Sequence, residues 1–311
     1  MGVDYMKPIP LDGSARGRPS VRIESKQFYN HGLFIADLAH MPASVCGTWP
    51  AFWTVSKVNY PAQGEIDILE NIHENTVSLH ALHTAPMCEV VGNVMGMQQT
   101  ANQNTYNCDD TATTSDYGSK TQYKNQGCAA TSTDPDSFGS TFNAQGGGVY
   151  AMEWTSDYIK VWNFEPSNVP TNLRSANPNP DLWGTPAFTT LQGSCDIDTH
   201  FKDHQVIFDT TFCGNWAGQD VFWKATSCYD AVKYPSCYKY VAANPGAYKN
   251  SYWLVNSLKI YTKTTVTSTS TTMTSYVFFC VLCYQLCLTL FLGPQLATPA
   301  HQRQLTQLRR K

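Results

Sequence analysis

Apolar and polar positions alternate in short runs along most of the chain. Residues 20–24 (SVRIE) alternate with the period of two expected of a half-buried strand. Residues 32–40 (GLFIADLAH) and 49–55 (WPAFWTV) are richer in apolar side chains, as buried strands are. Further strand-like runs lie at 64–72, 77–83, 149–154, 158–164, 205–211 and 252–261. Several carry β-branched or aromatic residues and end at Gly, Pro, Asn or Asp. No stretch of about 12 residues has the spacing of an amphipathic helix, and no segment repeats at a fixed period. The pattern predicts an all-β sandwich or jelly roll.

Two regions break the pattern. Residues 85–147 are rich in Thr, Asn, Gln, Gly and Ser, with three cysteines spread among them. So long a stretch without periodicity is unusual inside a compact domain, and it predicts long excursions stapled by disulfides at one end of the sandwich. The second region is C-terminal. The domain is expected to span residues 1–262, followed by a Ser/Thr-rich linker at 263–275. Residues 276–293 (YVFFCVLCYQLCLTLFLG) carry no charge and are near the lower limit for a transmembrane segment. The polar tail 294–311 ends Arg309-Arg310-Lys311, a sign of a cytoplasmic end that would leave the β domain outside the cell. A tail read in frame from non-coding sequence is the alternative. Residues 1–20 hold no apolar core of a signal peptide, so an incomplete N-terminus is expected.

Composition narrows the chemistry. Charged residues make up only 14% and aromatics 13%, with 8 Trp and 17 Tyr. Such rings either fill a β-rich core or line a carbohydrate groove, where the apolar face of a sugar stacks on them. A net charge of −3 without a basic run before the last residues excludes a nucleic-acid partner. Of 11 cysteines, three (Cys280, Cys283 and Cys287) lie in the apolar C-terminal segment. The others are Cys46, Cys88, Cys108, Cys128, Cys195, Cys213, Cys228 and Cys237, with no C-x-x-C pair. An even set in loop-rich sequence reads as disulfides formed in an oxidising compartment, and spacing leaves their pairing open.

The most informative run is Gly64-Glu65-Ile66-Asp67-Ile68-Leu69-Glu70. In a regular strand Glu65, Asp67 and Leu69 share one face, and Ile66 and Ile68 face the core. Glu70 has the parity of the isoleucines and would be driven inward, where an unpaired carboxylate costs several kcal/mol. A β-bulge near Ile68–Leu69 would return it to the face of Glu65 and Asp67. Three aligned carboxylates suit glycoside cleavage with retention, where one attacks the anomeric carbon and another donates a proton. That mechanism sets the two carboxyls about 5–5.5 Å apart, closer than a straight strand would hold them. An amphipathic strand with an acidic outer face is the alternative. The cluster Asp196-Ile197-Asp198-Thr199-His200 could ligate a metal, but alternation in a strand explains it as well, and neither metal nor cofactor is expected.

Beyond GEIDILE, seven motifs occur in order across residues 18–262: SVRIESK (20–26), HGLFIADLAHMP (31–42), GTWPAFW (47–53), LHT (82–84), EWTSDYIKVW (153–162), SCDIDTHFKDHQVIFDTTFCGNWAG (194–218) and YWLVNSLKIY (252–261). With them the chain resembles glycoside hydrolase family 16, particularly its fungal secreted endo-β-1,3(4)-glucanases. The resemblance implies a concanavalin A-like jelly roll of two antiparallel sheets, with a concave face forming an open β-glucan cleft. It implies Glu65 as nucleophile, Glu70 as general acid/base and Asp67 as the residue between them that tunes their protonation. Trp49, Trp53 and Trp216 fall on aromatic positions that are candidates for lining the cleft. Tyr60 stands where relatives often carry Trp. His83, next to the catalytic strand, is a candidate partner of the carboxylates, or simply a packed histidine. The expected protein is an extracellular monomer that cuts β-1,3- or mixed β-1,3/1,4-glucan. A cell-wall transglycosylase and a non-catalytic glucan-binding protein are the alternatives.

Overall fold

The alternating segments pair into two antiparallel sheets. A computed structural model of the chain describes residues 1–11, 17–90, 98–114, 121–191, 195–268 and 271–280. The first sheet holds β1 (Arg22–Glu24), β3 (Thr48–Val55), β4 (Glu65–Glu70), β5 (Leu79–His83), β6 (Asn102–Gln103), β7 (Cys128–Thr131) and β11 (Gln205–Phe212). Its order is β1-β11-β3-β4-β5-β7-β6. The second holds β2 (Gly32–His40), β8 (Gly148–Trp154), β9 (Tyr158–Phe164), β10 (Phe188–Leu191), β12 (Leu254–Ser268) and β13 (Thr271–Cys280), in the order β10-β9-β8-β2-β12-β13. This is the expected jelly-roll sandwich.

The core between the sheets is built from alternate positions. Phe52, Ile66, Leu82, Val206 and Phe208 of the first sheet meet Phe34, Tyr150, Met152, Trp154 and Ile260 of the second, all buried. Phe52 and Phe208 stack with ring centroids 4.4 Å apart. β2 is buried on both faces because Leu33 and Ile35 point away from this core into a second cluster with Trp162, Leu173 and Trp183. That outer cover explains why residues 32–40 read as continuously apolar. Burial of such side chains contributes about 1.5–3 kcal/mol each.

The eight cysteines outside the C-terminal segment form four disulfides: Cys46–Cys228, Cys88–Cys195, Cys108–Cys128 and Cys213–Cys237. The first and last, with Trp223, Val241 and Tyr248, make a satellite core under the connection between β11 and β12. Two of the pairs staple the polar stretch 85–147, as expected. That stretch also supplies β6, β7 and the short helix α1 (Gly139–Ala144). The strand reading of residues 196–200 does not hold. Residues Ile197–His200 form a one-turn helix, α2, because the Asp196 side chain accepts the Thr199 N–H and caps it.

The expected domain boundary at Thr262 falls inside β12, whose residues 259–268 pair with β13. Residues 276–280 of the expected membrane segment belong to β13, and the rest of that segment and the tail lie outside the described residues. Among the described residues no helix is long and apolar enough to cross a membrane.

Candidate active site

β4 carries the expected bulge. Against β5, Glu65 faces His83 and Asp67 faces Ala81, but Glu70 faces Leu79, so β4 holds one extra residue between Asp67 and Glu70. The pairing with β3 shifts at the same place: Asp67 faces Trp53, Leu69 faces Phe52 and Glu70 faces Ala51. Ile66, Ile68 and Leu69 are all fully buried in the core. Two consecutive side chains thus point inward, and Glu70 turns out to the face of Glu65 and Asp67. The strand is preceded by Gly64, whose φ of +75° and contact with Phe201 exclude a side chain: a Cβ there would lie 2.4 Å from the His200 carbonyl.

Around the carboxylates lies a set of polar partners, of which His83 and Asp110 are buried. Trp49 Nε1 donates to Glu70 Oε2 at 2.9 Å. His83 Nε2 is 3.4 Å from Asp67 Oδ2, chiefly a charge contact, and its Nδ1 is 2.7 Å from Asp110 Oδ1. The Tyr60 hydroxyl donates to the other oxygen of Asp110. Trp216 sits on the short helix α3 (Gly214–Ala217) and packs edge-on against Trp49, with centroids 5.6 Å apart. Trp53 lies opposite Asp67, and the Arg22 guanidinium covers its ring at 4.7 Å from the centroid. All eight residues singled out in the sequence therefore gather along one face of the first sheet.

Burial dominates the electrostatics. It pushes Glu65 well above the usual carboxylate range; Asp67 adds to the rise and His83 opposes it. Asp67 is raised by burial against the pull of His83. Burial, then the charge of Asp67, push Glu70 up to about 8, although the Trp49 N–H works the other way. For His83 burial favours the neutral ring, but Asp110, Asp67 and Glu65 overcome it and hold the imidazole well above its ordinary value. Carboxylates this close titrate as a set rather than one by one.

Glu65, Asp67 and His83 present atoms within 4.8 Å of one another, a spacing that could suit a metal. His83 Nδ1 is engaged by Asp110 at 2.7 Å, and its Nε2 faces Asp67 at 3.4 Å. In the cluster Asp196–His200, Asp196 caps α2, Asp198 pairs with His31 at 2.8 Å and His200 bonds the Asp196 and Pro86 carbonyls.

Three site residues escaped the sequence reading: Asp110, Asp209 and Arg22. Asp110 sits in the polar stretch, 27 residues past His83, where no periodicity marks it. Asp209 is buried on β11 and contacts Arg22 of β1 at 3.4 Å. Burial raises it to about 7 despite that cation. An acidic residue within the apolar run 205–211 was the available signal.

The profile of the XgeA-like catalytic GH16 domain matches residues 2–261. A probable endo-1,3(4)-β-glucanase of Aspergillus fumigatus is 45% identical over 263 residues, covering 84% of this chain and 37% of that protein. The endo-1,3(4)-β-glucanase XgeA of Emericella nidulans is 43% identical over 263 residues, covering 84% and 39%. The chain thus spans less than two fifths of these relatives' length. Among solved structures, GH16 laminarinase 16A of Phanerochaete chrysosporium, with β-glucans in its donor and acceptor sites, superposes with a TM-score of 0.74. Its identity is 35%, over 84% of this chain and 82% of that one. An elongating GH family 16 β-1,3-glucosyltransferase superposes with a TM-score of 0.70 at 40% identity, over 82% and 80%.

Proposed function

Because the chain belongs to glycoside hydrolase family 16 as an XgeA-like catalytic domain, we propose that it cuts internal bonds of β-1,3- or mixed β-1,3/1,4-glucan with retention. The observation that carries the reading is the β4 bulge, which brings Glu65, Asp67 and Glu70 to one face. In the first step the Glu65 carboxylate attacks the anomeric carbon while Glu70 gives its proton to the departing glycosidic oxygen. The carbon–oxygen bond breaks and a glycosyl ester on Glu65 remains. Glu70, now ionised, takes a proton from water, whose oxygen displaces Glu65 and restores the original configuration. Asp67 and the His83 cation lie at the Glu65 end of the set, and Trp49 holds Glu70 at the other. The His83 cation favours charge at Glu65, whereas burial and the charge of Asp67 favour a proton at Glu70 against the pull of the Trp49 N–H. Trp49, Trp53, Tyr60 and Trp216 are proposed to line the sugar path, and the four disulfides favour work outside the cell.

The test is reducing sugar released from laminarin and from barley glucan. Glu65→Gln should lose at least about a thousandfold in kcat, and Glu70→Gln a comparable amount that an activated leaving group restores in the first step. Comparable hydrolysis by Glu65→Gln would sink the reading.

A glucosyltransferase reading draws on the 40% identical neighbour that elongates β-1,3-glucan. There a sugar hydroxyl, rather than water, would displace Glu65. A labelled laminari-oligosaccharide acceptor separates the two, since only transfer lengthens it.

A further inference from the structure

The polar stretch after β5 brings one carboxylate into the site from outside the catalytic strand. Asp110 is buried, and its backbone is fixed at both ends: its N–H donates to the Thr84 carbonyl at 3.1 Å, and its own carbonyl accepts from Asn125 N at 2.7 Å. Two residues earlier, Cys108 is bonded to Cys128, the first residue of β7. The Cys108 backbone also bridges Cys88 and Thr84, at 2.9 and 2.8 Å. On the His83 side the chain passes at Gly127, with φ +62°. A Cβ there would lie 2.9 Å from His83 Nδ1 and 2.3 Å from the Leu82 carbonyl, so only glycine admits the close approach. The imidazole is thus confined between Asp110, Asp67 and the Gly127 backbone.

A neutral imidazole has one N–H and one lone pair. With a carboxylate oxygen at each nitrogen, any neutral tautomer sets its lone pair against negative charge. The doubly protonated ring both donates to Asp110 and sets positive charge toward Asp67 at 3.4 Å. The groups facing it are Glu65 and Asp67 of β4, with Glu70 farther along that strand, Asp110, and Tyr60 from the connection between β3 and β4. Asp209 of β11, with Arg22 of β1, lies beyond Asp67.

We propose that Asp110 is a positioning residue: by accepting the Nδ1 proton it fixes His83 as a doubly protonated counter-ion for Asp67 and Glu65, which keeps the transferable proton at Glu70. This rests on the roles given above to Glu65 and Glu70. Asp110 reaches the reacting carboxylates through His83, so its loss changes kcat more than KM.

Ring nitrogen and carbon NMR of the full chain, with the His83 signal assigned by its absence in His83→Gln, reads the charge state directly. In the wild type His83 should carry both ring protons well above pH 6.5, its ordinary value. A His83 that is a neutral tautomer at pH 7 overturns the proposal without any variant. Asp110→Asn keeps the size and the hydrogen-bond acceptor but removes the charge. It should lower the pH at which His83 deprotonates by at least about one unit and lower kcat on laminarin about tenfold, with little change in KM. In a His83→Gln background Asp110→Asn should cost nothing further. An unchanged His83 titration, or an equal loss in both backgrounds, refutes the proposal. A wild type that cuts no glucan would sink the proposed function and leave the His83 titration standing.

Discussion

The contact between Trp49 and Glu70 sets the upper end of the working pH range. Glu70 is held protonated by burial and by Asp67 up to about 8, and the Trp49 N–H at 2.9 Å, ahead of the His83 charge, favours its ionised form. Trp49→Phe removes that donor and keeps an aromatic ring. The basic limb of kcat/KM should therefore move to higher pH, and a limb that stays put or moves down counts against Glu70 as the proton donor. The carboxylates themselves were legible in the sequence because strand parity exposes the misfit of Glu70. Their partners were only half legible. His83 could be flagged, being the last residue of a recognisable run, but Asp110 lies in a segment where contacts are made by loop geometry and a disulfide. Arg22 covers one face of Trp53, a contact the sequence did not reveal, because β1 joins the sheet beyond β11 and brings a cation alongside.

At the level of elements, the bulge in β4 was legible and the strands of the polar stretch were not. The run EIDILE contains its own contradiction, which only an inserted residue resolves. β7 reads CAAT, small and featureless, and becomes a strand because Leu82 and Ala81 offer it a partner edge and Cys128 is tied to Cys108. The disulfide closes a loop 20 residues apart in sequence, which restrains the unfolded chain by about 3 kcal/mol. The double substitution Cys108→Ala/Cys128→Ala should cost about that much in denaturant unfolding. It should also lower kcat in the folded protein, because Asp110 then loses one of its anchors. If the double variant is less stable but retains full activity, the loop is held to His83 by its backbone hydrogen bonds alone.

On the scale of the whole molecule, two sheets and their order follow from alternation, whereas the covering of the outer face by residues 169–183 does not, since that segment has no period of its own. Burial on this scale also sets how stability responds to pH. Among the described residues His73, His80 and His204 are pushed by burial from 6.5 to about 4, so in that window the folded protein binds fewer protons than the unfolded chain. Their contribution is complete above 6.5 and is lost as pH falls toward 4. Glu70 and Asp209 run the other way: burial raises them from 4.5 to about 8 and from 3.8 to about 7. Their contribution is complete below about 4 and is lost as pH rises through 7 to 8, and the raised His83 adds to the same trend above 6.5. Below 6.5 the two groups oppose each other. Above it the three core histidines are neutral in both states and only the declining contributions remain. The melting temperature should therefore fall between pH 6.5 and 8, measured by calorimetry. Glu70→Gln, which has no proton to lose, should flatten part of that fall and melt higher than the wild type at pH 8. A wild-type melting temperature that rises across this window would mean that the carboxylates ionise in the fold at little cost. The protonated Glu70 that the proposed chemistry requires would then be missing as well, because activity and stability depend on the same buried proton.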